Sequence, residues 1–116
     1  MEAQDISRKA VSKGFEWEDV SDVWDKVREE IAEFQAAPPR SEDAEVEFGD
    51  ILFSLVNVAR REHLDAETCL RKSNAKFRKR WAAMEAHALE EGRDLGDFAF
   101  EELDALWEQV KRELRA

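Results

Sequence analysis

Between Ile51 and Ala59, seven of nine residues are apolar, and on a helix they would surround its whole circumference. Through the same stretch Glu47, Asp50, Ser54, Asn57 and Arg61 run as one polar line, at steps of 3, 4, 3 and 4. Such steps keep side chains on one helical face. A helix apolar all round is a buried helix, and a buried carboxylate is costly unless it is paired or coordinates a metal. The segment therefore demands helices packed around it and a partner for its polar line.

The partner is legible upstream. Lys26 to Asp50 carries two clusters of carboxylates, Glu29-Glu30-x-x-Glu33 and Glu47-x-x-Asp50, separated by a break with Pro38-Pro39. The first cluster closes one helix and the second opens the next. Glu30 and Glu33 share a face, as do Glu47 and Asp50. If the two helices return antiparallel, four carboxylates meet, and their repulsion asks for cations. Glu29, Glu30 and Glu33 alone would read as a solvated helix face; the pairing with Glu47 and Asp50 makes them candidate metal ligands.

All these donors are carboxylate oxygens, which suit Mg²⁺, Mn²⁺ or Ca²⁺ better than Zn²⁺ or copper. A di-iron bundle needs Glu-x-x-His pairs, but Arg60 and Met84 stand three residues before His63 and His87. No Asp-x-Asp-x-Asp-Gly run supplies an EF-hand loop.

The rest of the chain reads as helices. A short one over residues 3 to 13 has a weak apolar stripe of Ile6, Ala10 and Val11, and Gly14 ends it. Phe15-Glu16-Trp17 connects it to a second helix, from about Asp19 to Ala37, whose buried face is Val20, Val23, Trp24, Val27, Ile31 and Phe34. Proline stops that helix, and Ser41 caps a third, from about Glu42 to Glu62.

Asp65 caps a fourth helix, to about Glu90, with Ala66, Leu70, Ser73, Phe77, Trp81, Met84 and Ala88 as its apolar face. A basic line of Lys72, Lys76 and Lys79 or Arg80 runs along it, with the charge needed to hold phosphate oxygens. A turn bracketed by Gly92 and Gly96 leads to a last helix, about Phe98 to Arg115, that buries Leu103, Leu106, Trp107, Val110 and Leu114. Cys69 reads as a small core residue.

The 116 residues suit one domain, 1–116, with an all-α fold of four to five helices around an antiparallel central pair. Only four Gly and two Pro, with 40% charged residues, agree with this. A net charge of −10 argues against nucleic acid as the main partner, since phosphate backbones are bound through Lys and Arg. No apolar run approaches a membrane span of about 20 residues, and the first residues lack the pattern of a signal peptide. A soluble cytoplasmic protein with no membrane partner is the expectation. One cysteine excludes an intrachain disulfide.

The carboxylate pattern Glu-Glu-x-x-Glu, spacer, Glu-x-x-Asp resembles the signature of the MazG family of all-α nucleoside triphosphate pyrophosphohydrolases. Gly14-Phe15-Glu16-Trp17, Asp25-Lys26-Val27-Arg28-Glu29-Glu30, Glu47-Phe48-Gly49-Asp50-Ile51-Leu52-Phe53, Val56-Asn57-Val58-Ala59-Arg60, Asn74-x-Lys76-Phe77-x-x-Arg80 and Trp107-x-x-x-Lys111 are similar to MazG segments in the same order. The similarity runs from about residue 8 to residue 113 and corresponds to one MazG module. It implies hydrolysis of nucleoside triphosphates, canonical or not, to monophosphate and pyrophosphate, a house-cleaning of the nucleotide pool.

The resemblance further implies Mg²⁺ (or Mn²⁺) held by Glu30, Glu33, Glu47 and Asp50, with Glu29 suited to orient or deprotonate the attacking water. Lys26, Lys76, Arg80 and Lys111 match positions that contact phosphates or complete the pocket. Trp107 matches one near the nucleotide, and Asn57 is placed for sugar or base. A homodimer or larger homo-oligomer that completes the bundle is implied too. Two alternatives remain at this level: a non-enzymatic helical interaction module with a structural ion, and a narrow dUTPase or dCTPase of the same fold.

Overall fold

The computed structural model describes residues 2–16 and 19–115, apart from the side chain of Val20. Trp17, in the Phe15-Glu16-Trp17 connector, lies outside the described residues. Five α-helices and one 3-10 turn account for the regular structure, and there is no strand among the described residues: α1 Glu2–Ser12, α2 Val20–Ala36, α3 Glu42–Arg61, α4 Ala66–Glu90, the turn Leu95–Asp97, and α5 Phe100–Arg115. Every boundary lies within two residues of the sequence expectation. No helix among the described residues is long and apolar enough to cross a membrane.

Local chemistry explains the boundaries. Asp19 accepts from the Ser21 backbone amide at 3.0 Å to start α2, Ser41 from Ala44 at 3.1 Å to start α3, and Asp65 from Thr68 at 2.9 Å to start α4. Each satisfies an amide that the first turn would leave orphaned. Three helices end alike. After α1, α3 and α4 the chain turns through a positive φ at Gly14, His63 and Gly92. The next amide then bonds back five residues, Phe15 to Ala10, Leu64 to Ala59 and Arg93 to Ala88. Glycine does this freely; His63, at φ 60°, does it against the cost of its Cβ.

The chain divides into two compact units, Met1–Cys69 and Leu70–Ala116. In the first, α2 and α1 both pack on α3, and Val23, Val27 and Val58 form the apolar contact at the centre. In the second, Met84, Ala88, Leu95, Leu106 and Val110 form one cluster, flanked by Ala83, Phe98, Leu103 and Trp107.

The structure corrects several burial expectations. α1 does not dock through Ile6, which is exposed, but through buried Gln4 and Ser7. Gln4 donates to the Leu64 carbonyl at 2.8 Å and accepts from the Ala66 amide at 2.9 Å. α3 is not buried all round: α1 and α2 cover one side, while Val46, Phe48, Leu52 and Leu55 stay exposed. Trp24 and Ile31 on α2, and Leu70, Phe77, Trp81 and Leu114 in the second unit, are exposed as well. Cys69 is exposed rather than in a core.

Candidate functional site

The antiparallel return of α3 against α2 brings Glu30, Glu47 and Asp50 together, with one carboxylate oxygen of each within 4.8 Å of the others. Burial within the group is uneven. Glu30, from α2, is 6% exposed; Glu47 is half-buried and Asp50 exposed. The sequence pointed to Glu47 and Asp50 as the buried pair, but the rotation of α2 puts Glu30 deepest.

Lys26, one turn before Glu30, sets the electrostatics. Its Nζ lies 2.8 Å from Glu30 Oε1 and 3.5 Å from Glu29 Oε1. That contact, above all the hydrogen bond to Glu30, raises the Lys26 ammonium above its ordinary value, and the same bond holds the Glu30 carboxyl below its own. Both partners point the same way: Glu30 stays ionised. Its other oxygen, Oε2, is buried with no hydrogen-bond partner, and so is Oε2 of Glu47. Two bare buried acceptors on neighbouring carboxylates are costly. Neither oxygen can serve the other, because a carboxylate only accepts.

Glu33, one turn beyond Glu30, is exposed. It stands outside the close group but is tied to it: a hydrogen bond with Glu30 above all, then the charges of Glu30, Glu47 and Glu29, push its carboxyl above the usual range. Glu29 is exposed beside them. The donor set is all oxygen, anionic, drawn from two helices and short of positive charge. It is compatible with a divalent cation.

A cavity of about 160 Å³ adjoins this group. Phe15, Val23 and Phe53 give it apolar walls, and Lys26, Ser54, Asn57, Ser7, Glu16 and Arg60 bring polar ones. Arg60 carries a bidentate pair with Glu16, at 2.6 and 3.1 Å. The same guanidinium donates from Nε to Ser7 Oγ at 2.6 Å, and Ser7 Oγ lies 2.5 Å from Asn57 Oδ1. Ser7, Glu16 and Arg60 were not among the candidate residues. Glu16 and Arg60 do fall within the MazG-like segments Gly14-Phe15-Glu16-Trp17 and Val56-Asn57-Val58-Ala59-Arg60, whereas Ser7 carries no signal of its own.

The second unit gathers the remaining candidates. Lys76, Arg80 and Lys111 line one hollow, together with Lys79 and Arg115. The Arg80 guanidinium sits 5.3 Å from the centre of the Trp107 ring, and Phe77 packs on Trp107 at the same centroid distance, 5.3 Å. Trp107 is thus both a wall of the unit's apolar cluster and a platform for a cation.

No protein-family model matches the chain. It is 40% identical over 110 residues to the nucleoside triphosphate pyrophosphohydrolase/pyrophosphatase MazG of Thermotoga maritima, covering 94% of this chain and 42% of that protein. To the nucleoside triphosphate pyrophosphohydrolase of Escherichia coli it is 37% identical over 117 residues, 97% of this chain and 44% of the relative. The protein YabN of Bacillus subtilis is 45% identical over 73 residues, 63% of this chain and 15% of its own length. The chain spans less than half the length of the curated relatives it matches. Over nearly its whole length it resembles a single module of the MazG nucleoside triphosphate pyrophosphohydrolases.

Proposed function

We propose that this chain hydrolyses nucleoside triphosphates to the monophosphate and pyrophosphate, with Mg²⁺ held by Glu30, Glu33, Glu47 and Asp50. The observation that carries the proposal is the pair of buried, unpartnered oxygens, Glu30 Oε2 and Glu47 Oε2, grouped with Asp50. A buried charge is tolerated when it is paired or coordinates a metal, and one divalent cation would satisfy both. When bound, such an ion supplies neutralisation of phosphate charge and acidifies water beside it.

The chain's own groups have separate tasks in this reading. Lys26 keeps Glu30 ionised, so that the acidic group is ready without a prior proton loss. Glu29 orients the attacking water and takes its proton. The water oxygen bonds to the α-phosphorus, the α–β bridging bond breaks, and pyrophosphate departs. Lys76, Arg80 and Lys111 offer positive charge to phosphate oxygens, and Trp107 lies near the nucleotide. Residues 1–116 act as one MazG-like domain. The proposal includes a homodimer or larger homo-oligomer, for which the exposed Val46, Leu52 and Leu55 of α3 are suited, and a cytoplasmic role in nucleotide-pool house-cleaning.

A screen of canonical and modified NTPs and dNTPs, each with and without Mg²⁺, tests this through the products. Pyrophosphate and monophosphate in equal amounts, formed only with the metal, are the expected outcome. No pyrophosphate from any triphosphate would leave a helical module with a structural ion.

A further inference from the structure

The polar groups around the 160 Å³ cavity form a directed chain. Glu16 holds Arg60 in a bidentate pair, which fixes the guanidinium. Arg60 Nε then donates to Ser7 Oγ, at 2.6 Å. An arginine only donates, so the serine oxygen is the acceptor in that bond. Ser7 is 3% exposed, and its own proton needs an acceptor inside the protein. Asn57 Oδ1, 2.5 Å away, is the acceptor it meets among the described residues. The orientation of the Asn57 amide follows: its oxygen is used, and its NH₂ group has no partner among the described residues.

We propose that Glu16, Arg60 and Ser7 are positioning residues that lock Asn57 with its NH₂ toward the cavity, so that the cavity selects a nucleobase edge offering an oxo acceptor over one offering an amino donor. This rests on the reading of the chain as a nucleoside triphosphate pyrophosphohydrolase. Size agrees, since a cavity of about 150 Å³ is enough for one benzene-sized ring. So does the apolar wall of Phe15, Val23 and Phe53, which suits a flat heterocycle. Placement agrees as well: Lys26 lines the cavity and bonds Glu30, so a base seated there has its phosphates beside the carboxylate group. An amide with one end engaged can offer only the other. An amino group set against the Asn57 NH₂ leaves two donors facing each other and both unsatisfied.

The test uses substrates that differ at that edge, UTP against CTP and ITP against ATP, with kcat and KM for each. Binding of UMP and CMP by calorimetry runs beside it as a readout free of turnover. Wild type is expected to favour the oxo member of each pair by about tenfold, the size of one unsatisfied buried polar group. Asn57→Asp presents an acceptor instead, because Ser7 can still donate to one carboxylate oxygen, and should reverse the preference. Ser7→Ala frees the amide to turn; both ratios should move toward one, through KM rather than kcat, with the helical circular dichroism unchanged. A wild type that favours CTP and CMP, or an Asn57→Asp variant with unaltered ratios, would overturn the inference. If wild type releases no pyrophosphate at all, the proposed activity fails by itself, and the UMP and CMP affinities still judge the cavity.

Discussion

The two units of this chain are filled in opposite ways. In Leu70–Ala116 the buried residues are apolar, Met84, Ala88, Leu95, Leu106 and Val110, and the charges stay outside. In Met1–Cys69 the buried set includes Gln4, Ser7, Glu30 and Ser54, and two carboxylate oxygens are buried without partners. Apolar burial stabilises wherever it occurs, roughly in proportion to area. Buried polar groups stabilise only when satisfied. The first unit thus gives up stability at α2 and α3 to hold a charged group in place, and the second has no such burden. Unsatisfied polarity at one place in an otherwise consistent fold is the mark of a site.

The contrast breaks if substitutions in the two units behave alike. Glu47→Gln or Asp50→Asn should lower pyrophosphate release by a hundredfold or more, about the effect of losing a group that holds transition-state charge. The metal-free Glu47→Gln protein should melt no lower than wild type, because a neutral amide relieves the repulsion. Val110→Ala should do the reverse. Val110 is 0% exposed, and its truncation should cost about 2 kcal/mol in urea unfolding while the metal-dependent activity of the folded fraction persists. Normal turnover in the acidic-site variants would remove the site; a harmless Val110→Ala would remove the account of the core.

A smaller effect concerns the ends of helices. α1 and α4 close on glycine and α3 on His63, all at positive φ. His63→Gly should therefore stabilise the first unit by about 0.5–1 kcal/mol, read from the urea midpoint. Loss of stability there would mean that the imidazole makes a contact worth more than its strain.

The smallest effect is electrostatic and belongs to the second unit. His87 Nε2 lies 2.9 Å from Glu113 Oε2. The hydrogen bond to Glu113 raises His87 above 6.5, and the bond to His87 lowers Glu113 below 4.5. The histidine's contribution is complete below its unfolded value of 6.5 and is lost as pH rises through the raised folded value. The glutamate's contribution is present above 4.5 and is lost as pH falls through the lowered one. A slight drop in melting temperature from pH 6 to pH 8 is expected in wild type, and its absence in Glu113→Gln would assign it to this pair.

Much of this architecture could be read from residues alone, for a physical reason. Caps and breakers are local, so Ser41, Asp65, Gly14, Gly92 and Pro38-Pro39 marked the helices to within two residues. The ending of α3 at His63 carried no such signal, because histidine seldom adopts positive φ. Burial is not local. Whether Glu30 or Asp50 lies deeper depends on the rotation of α2 against α3, which spacing does not determine. Gln4 and Ser7 are buried because the backbone at Leu64 and Ala66 and the side chains of Asn57 and Arg60 satisfy them. These partners lie 50 or more residues away. Leu52 and Leu55 looked like core because residues 51 to 59 are apolar all round the helix, yet α1 and α2 leave their side of α3 uncovered.

The claim at the centre of this account is that the buried oxygens of Glu30 and Glu47, with Asp50, hold a divalent cation. Equilibrium binding of Mn²⁺, followed by its electron paramagnetic resonance signal and competed with Mg²⁺, tests it without reference to turnover. Wild type should take up Mn²⁺ that Mg²⁺ displaces, and Glu47→Gln should weaken that uptake by about tenfold or more, as loss of a charged ligand does. Equal Mn²⁺ binding by wild type, Glu47→Gln and Asp50→Asn would contradict it.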